Sequence, residues 1–488
     1  MRTLIDTNVL IALEDDHILE SRFSDFIREA SKNSEIMVHP ASLLDIDRDR
    51  DRIRKITIKS RLSKYQILEK PPEPDPNFIA IIGQIKKPND EVDAALLYSV
   101  YRDSVNFLVT EDIGIHKKAR QIGVHERILN VNQAVSLFYQ LGFREIPEHT
   151  LIQSIPVHNL EINDRFFDSL REDYDGKKFN EWFKKICQEG RDCWALLEDD
   201  KILALTIYKE EFESADSSKI PTPTLKLSTF RVSDEISGKK IGELMLKLSF
   251  WYSIKNHLKS IYLTAYPDKG YLINVLDDFG FHKIDKKGNE DILMKLMIPP
   301  EASDSDFSTL QYAIDYYPNF KDGSYINKFI IPIQPQFHDK LFPDVKGRQR
   351  TIAEYTSPIP EGNTIKKAYL CNSRTKQITE GDLILFYRSQ DRQEITSIGI
   401  VERTVNTKNI SKIISNVSNR TVYSINEIST LAKKDVLVII FRHQGNYNRP
   451  ISLSTLQDEI NIKGPIQTIR KISHDDYLRI KQEGNGCW

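Results

Sequence analysis

A chain of 488 residues is too long for one ordinary hydrophobic core, so its residues must be shared among several domains. Hydrophobic residues make up 40% and charged residues 28%, a composition that excludes a disordered or fibrous chain and leaves each part enough apolar material for a core. The formal net charge of -2 excludes a global field that would draw the protein to a polyanion, so any nucleic-acid contact must rest on local patches.

Residues 1–145 alternate helix-like segments with strand-like runs at Thr3 to Ile5, Ile36 to Val38, Asn106 to Val109 and Ile128 to Val131, which predicts a parallel α/β sheet. Residues 146–300 start a second alternation. It holds a helix over Asn180 to Gln188, strands at Cys193 to Leu197, Ile202 to Tyr208 and Leu225 to Val232, and a helix from Lys240 with Ile241, Leu244, Met245, Leu248 and Tyr252 at helical spacing. The segment Pro299 to Ser305 reads as a linker. Residues 301–488 are β-rich, with runs at Lys328 to Pro332, Leu383 to Tyr387, Ser397 to Val401 and Val436 to Phe441, for which a small β barrel is the simplest reading. The fold class expected is multidomain, α/β plus α+β, in three domains.

Cys187, Cys193, Cys371 and Cys487 show neither CxxC pairing nor zinc-like spacing with histidine, and read as reduced thiols. Asp6, Thr7 and Asn8 interrupt the N-terminal apolar run, and no apolar stretch reaches bilayer length. A cytoplasmic protein with no membrane partner is expected.

Asp6 follows the apolar run Thr3 Leu4 Ile5, and a second run, Val9 to Leu13, resumes almost at once. A carboxylate at the end of a buried strand is costly to desolvate and needs compensation, for which a metal ion is the natural candidate. Asp93 opens the apolar stretch Asp93 to Leu97, Asp112 follows Phe107 to Thr110, and Asp45 lies in the helical stretch after Val38. Parallel sheets gather reactive groups at the carboxyl ends of their strands. Several carboxylates drawn together there call for Mg²⁺ or Mn²⁺ rather than zinc, which prefers His and Cys. Taken singly, Asp45 and Asp93 also suit helix caps. The basic run through Arg48, Arg50, Arg52, Arg54 and Lys55 reads by itself as a solvated helix face, and beside an active site as a grip on nucleic-acid phosphates.

The segments Leu4 to Leu10, Pro40 to Asp45, Asp93 to Leu97 and Val109 to Asp112, followed by Lys118 Ala119 and Gly123 Val124, resemble the PIN-domain nucleases. That resemblance implies a metal-dependent endoribonuclease in which Asp6, Asp45, Asp93 and Asp112 form the metal and catalytic site and Asn8 and Thr110 orient them. The family usually has Glu where this chain has Asp45, and Asp47 competes for that role. RNA, including tRNA or modified nucleic acid, is the implied substrate. A toxin or defence role with an inhibitory partner follows by the same analogy.

Ser237 to Gly242 and Asp278 to Lys283 resemble the coenzyme A pyrophosphate loop and the late strand of the GNAT acyltransferases. The implied ligand is acetyl-CoA, held at Gly238, Lys239, Lys240 and Gly242 on a helix N-terminus. Ser237 and Lys240 depart from the family's loop, and Leu276 stands where a general-acid Tyr is often found. With these departures the domain also reads as a scaffold that keeps the fold without catalysis. The alternative reading for the whole chain is an N-acetyltransferase whose first domain only docks nucleic acid or a partner. Tyr369 Leu370, Ile378 to Arg388, Ile398 to Glu402 and Gly464 to Ile469 resemble PUA-like barrels of the EVE and ASCH type, which implies recognition of a nucleobase. His338, between Pro335 and Pro343, has no role beyond anchoring this part of the chain.

Overall fold

In a computed structural model, the chain is described throughout except for residues 15–19, 50, 70, 84, 86, 143–151, 199–200, 214, 234–235, 237–239, 301–307, 347–363, 418–419, 461 and 487–488. It divides into two compact units, one of residues 1–145 with 406–436, the other of residues 146–236, 240–405 and 437–488.

The first unit is built on β1 (Arg2–Ile5), β2 (Glu35–Val38), β3 (Gln66–Ile67), β4 (Phe107–Val109) and β5 (Ile128–Leu129). Every pairing is parallel and the order is β3-β2-β1-β4-β5. Leu4, Ile5, Leu108 and Val109 are fully buried, as central strands covered on both faces require. Eight helices accompany the strands: α1 (Thr7–Glu14), α2 (Ser21–Asn33), α3 (Pro40–Arg48), α4 (Arg52–Arg61), α5 (Pro76–Ile82), α6 (Pro88–Tyr101), α7 (Ile113–Gln121) and α8 (Val131–Gly142). Two boundaries differ from expectation for local reasons. β5 stops at Leu129 because Asn130 and Gln133 exchange side-chain to backbone hydrogen bonds, at 2.9 and 2.8 Å, that open α8. α6 starts at Pro88, with Asp90 accepting the Lys87 N–H at 2.9 Å, so Asp93 lies in its second turn rather than at its start.

The second unit carries two sheets. Its first holds β6 (Ile152–Pro156), β7 (Asp192–Glu198), β8 (Lys201–Glu211), β9 (Thr224–Val232), β10 (Ser260–Ala265), β11 (His282–Lys287) and β12 (Glu290–Leu296), in the order β11-β12-β10-β9-β8-β7-β6. Only β9 and β10 run parallel, and they pair over just Ser260↔Thr224, Ile261↔Leu225 and Tyr262↔Lys226 before parting. Their crossover is helical, as a parallel connection demands. α9 (Asp168–Tyr174), α10 (Gly176–Gln188), α11 (Ile241–Lys255) and α12 (Gly270–Asp278) accompany this sheet, α11 being the crossover.

The last sheet contains β13 (Lys328–Ile333), β14 (Lys366–Cys371), β15 (Leu383–Arg388), β16 (Glu394–Thr407), β17 (Val436–Ser452) and β18 (Arg470–Ile472), in the order β14-β17-β16-β15-β13-β18. A closed barrel, as expected from the sequence, is not seen in this strand order. Among the described residues β14 and β18 each pair on one side only, leaving an open order with two edges. The helix α13 (Thr309–Asp315) ties the two sheets together: Lys295 Nζ donates to the Ile314 and Asp315 carbonyls at 2.9 and 2.8 Å, and His282 Nε2 lies 2.9 Å from the Asp315 carboxylate. Positively charged side chains near a helix C-terminus stabilise it. His338, on α14 (Pro335–Leu341), is wholly buried, with Nε2 at 2.7 Å from Thr396 Oγ1 and Nδ1 at 3.2 Å from an Arg388 N–H, so it links α14 to β15 and β16.

Between β16 and β17 the chain leaves the sheet to form α15 (Ile410–Val417) and α16 (Ile425–Leu431), which belong to the first unit. Ile413, Ile414, Val417, Val422 and Tyr423 are fully buried there, and the Arg420 guanidinium lies 3.3 Å from the Glu126 carboxylate. α17 (Leu453–Asp458) and α18 (His474–Glu483) complete the chain's helices among the described residues. No described helix is long and apolar enough to cross a membrane.

Candidate functional site at the edge of the first sheet

β1 pairs with β2 at Ile5↔Val38 and with β4 at Ile5↔Val109. One residue further along each strand, the register sets His39, Asp6 and Thr110 in a row across the C-terminal edge of the sheet. The strand order reverses between β1 and β4, and such a switch point is where open α/β sheets place their ligands.

Asp6 is only 4% exposed and is held from both sides. Its Oδ1 accepts the Thr7 N–H at 2.6 Å and its Oδ2 accepts the Thr110 hydroxyl at 2.7 Å, while Thr110 Oγ1 accepts the Asp112 N–H at 3.0 Å. Thr110, which the resemblance implied as an orienting residue, thus links the Asp6 carboxylate to the Asp112 backbone. Asp112 caps α7, its Oδ1 accepting the Ile115 N–H at 3.0 Å. A Cβ on Gly114 would stand 2.8 Å from that oxygen, so glycine leaves the carboxylate its room. His116 Nε2 lies 3.1 Å from the Thr110 carbonyl, and burial lowers the imidazole's pKa.

Electrostatics join the four acids. Burial raises the Asp6 pKa, against the hydrogen bonds from Thr110 and Thr7, and the charges of Asp112 and Asp45 raise it further. Asp93 is pushed up to about 7, first by burial and then by the charge of Asp112, with Lys118 opposing and Asp6 adding to the rise. The Lys118 ammonium is 3.8 Å from the Asp93 carboxylate. Like charges that cannot all ionise freely at neutral pH form a site that a cation would relieve.

The four acids of the sequence expectation do not form a ready-made cage among the described residues. Among the described residues no three His, Cys, Asp or Glu side chains converge closely enough to hold one ion. Both Asp6 oxygens accept hydrogen bonds, from Thr7 and Thr110, one Asp112 oxygen accepts from α7, and Asp45 stands 3.9 Å from the Arg48 guanidinium, while each carboxylate keeps lone pairs beyond these contacts. An oxygen-only donor set of this kind suits Mg²⁺, which keeps several waters and needs only one or two carboxylates from the protein.

Other expected residues are not brought to the site. Asn8 is exposed on α1. Asp47 is half-exposed and paired with Lys59. In the basic run, Arg50 lies outside the described residues and Arg52 is exposed. Arg54 makes two hydrogen bonds to the Asp49 carboxylate, at 2.6 and 2.8 Å, and Lys55 donates to the Asp47 carbonyl at 2.6 Å. Two of the expected phosphate grips are therefore bonded to α3 and to the turn between α3 and α4. The sequence reading missed His39, whose only signal was its position one residue beyond a predicted strand.

In the second unit, Gly238 and Lys239 lie outside the described residues. Lys240 precedes α11 with φ of +61°, and Gly242 sits in its first turn, where a Cβ would meet Val232 only at an ordinary 3.8 Å. The next residue, Glu243, turns its buried carboxylate to the N–H groups of Ile365 and Lys366, at 2.9 and 3.0 Å. Leu276 is wholly buried in the core.

No protein-family model and no curated protein matches the chain. Among solved structures, it is similar to the ASCH protein from Zymomonas mobilis, at 12% identity and a TM-score of 0.25 over 32% of this chain and 94% of that one. It is also similar to the paia N-acetyltransferase from Thermoplasma acidophilum in complex with coenzyme A, at 17% identity and a TM-score of 0.21 over 26% of this chain and 74% of that one. A third is Arabidopsis thaliana NAA60 in complex with a bisubstrate analogue, at 15% identity and a TM-score of 0.24 over 29% of this chain and 95% of that one. ASCH and GNAT structures are thus among the neighbours. Likenesses of this size carry no argument about activity, which must be read from the chain's own residues.

Proposed function

We propose that the first unit hydrolyses phosphodiester bonds of RNA with the help of Mg²⁺ or Mn²⁺ at the Asp6 edge. The observation that carries this reading is the relay from the Asp112 N–H through Thr110 to Asp6, set at the switch point with Asp45 and Asp93 in electrostatic reach. A bound divalent ion supplies charge neutralisation and an activated water. Thr110 and the Thr7 N–H hold the Asp6 carboxylate in one orientation, and burial strengthens its interaction with any cation. Asp112 and Asp93 offer the remaining oxygens, and Lys118 balances part of their charge. Incubation of labelled RNA with Mn²⁺ tests this. Asp112→Asn is expected to slow cleavage at least about 100-fold. Equal rates for the two proteins would refute it.

A second reading is favoured by a separate observation, the parting of β9 and β10 after three paired positions. Splayed parallel strands expose backbone groups to a ligand lying between them, which suits acyl-CoA and N-acyl transfer, with the first unit as a docking module. Calorimetry with acetyl-CoA separates the two: heat without RNA cleavage supports this reading, and cleavage without heat the first.

A further inference from the structure

Carboxylates repel the phosphodiester they would cut, so a hydrogen-bond donor at the same edge of the sheet would aid its binding. His39 stands at that edge. It lies next to Asp6 in the row across the sheet edge, 96% of its surface is removed from solvent, and its side chain caps α3 by accepting the Ala41 N–H at Nδ1, 3.0 Å away. An imidazole that accepts at Nδ1 carries its proton on Nε2. Burial holds the ring's pKa down to about 4, so at neutral pH this tautomer is uncharged.

Among the described residues the Nε2–H of His39 has no hydrogen-bond partner, and neither have two neighbouring hydroxyls, Thr7 Oγ1 and Ser42 Oγ. Thr7 follows Asp6 directly, and Ser42 lies in the first turn of the helix that His39 caps. A buried donor left unsatisfied carries a desolvation penalty that a ligand acceptor would relieve. All three lie on segments that leave β1 or β2 at the acid end of the sheet, and of the three His39 is the one whose donor is fixed by its other hydrogen bond.

We propose that His39 donates its Nε2–H to a non-bridging oxygen of the RNA phosphate brought to Asp6, and so is a substrate-binding residue of that site. The inference rests on the phosphodiesterase reading above. His39→Asn tests it, because asparagine keeps an acceptor at the N-cap and removes the far N–H. Affinity for short single-stranded RNA is read by fluorescence anisotropy in Ca²⁺ buffer, with thermal melting as the check on folding. An unchanged melting temperature with about tenfold weaker binding is expected, partly restored in His39→Gln, whose longer amide reaches further. Equal affinity of wild type and His39→Asn overturns the role of His39. A wild-type protein that binds RNA but leaves it uncut in Mn²⁺ overturns the phosphodiesterase reading instead.

Discussion

At the residue scale, Asp6 was legible because an acid between two apolar runs has few structural explanations, and the structure buries it at a strand end as that argument requires. Thr110 was legible only through the family resemblance. His39 was not, because an orphaned donor is a property of three-dimensional packing and leaves no periodic trace in the chain. Asp45, where the family usually has Glu, stands 3.9 Å from the guanidinium of Arg48 one turn on, a contact that helical spacing makes readable. Thr110→Val, which removes the hydroxyl at nearly constant volume, should leave the Asp6 carboxylate free to turn. It is expected to slow Mn²⁺-dependent cleavage about 10- to 100-fold, with little change in RNA affinity measured in Ca²⁺. A rate equal to wild type would show that the hydroxyl does no orienting.

At the element scale, the order and type of most strands were readable from apolar runs, whereas ends were set by caps such as Asn130 with Gln133 that act over a single turn. The strand order of the last sheet was unreadable, since it depends on pairing between distant strands. Gly280 is the sharpest test of how α13 seats on the second unit's first sheet. It has φ of +80°, and a Cβ there would stand 2.4 Å from the Ile314 carbonyl oxygen. Gly280→Ala is expected to destabilise the second unit by roughly 2–4 kcal/mol, seen as an earlier urea midpoint. Glu243→Ala strands two buried N–H groups of Ile365 and Lys366 and should cost about 2 kcal/mol or more by the same assay. An unchanged midpoint in either variant would contradict the packing described.

At the scale of the whole molecule, three sheets were foreseen, but the assignment of residues 406–436 to the first unit was not. Helices that start and end in one sheet while burying Val417 and Tyr423 elsewhere look in sequence like any surface insertion. Buried neutral histidines give the molecule a pH signature. The folded pKa of His338 is held down to about 4, by burial first and then by the Arg388 charge, and that of wholly buried His443 is lowered by burial. A group depressed in this way contributes stability that is fully present above its unfolded value near 6.5 and is lost as pH falls toward the folded value. Melting of the second unit should therefore move to lower temperature between about pH 6.5 and 4, and His338→Gln should flatten part of that slope. A profile as steep in the variant as in wild type would contradict it.

The claim on which the functional account turns is that Asp6 shares a divalent cation with its neighbouring acids. Calorimetric titration of Mn²⁺ into the intact protein and into Asp6→Asn tests it most directly. The account predicts binding in the wild type that weakens at least about tenfold in the variant. Indistinguishable isotherms, or no heat in either protein, would contradict it.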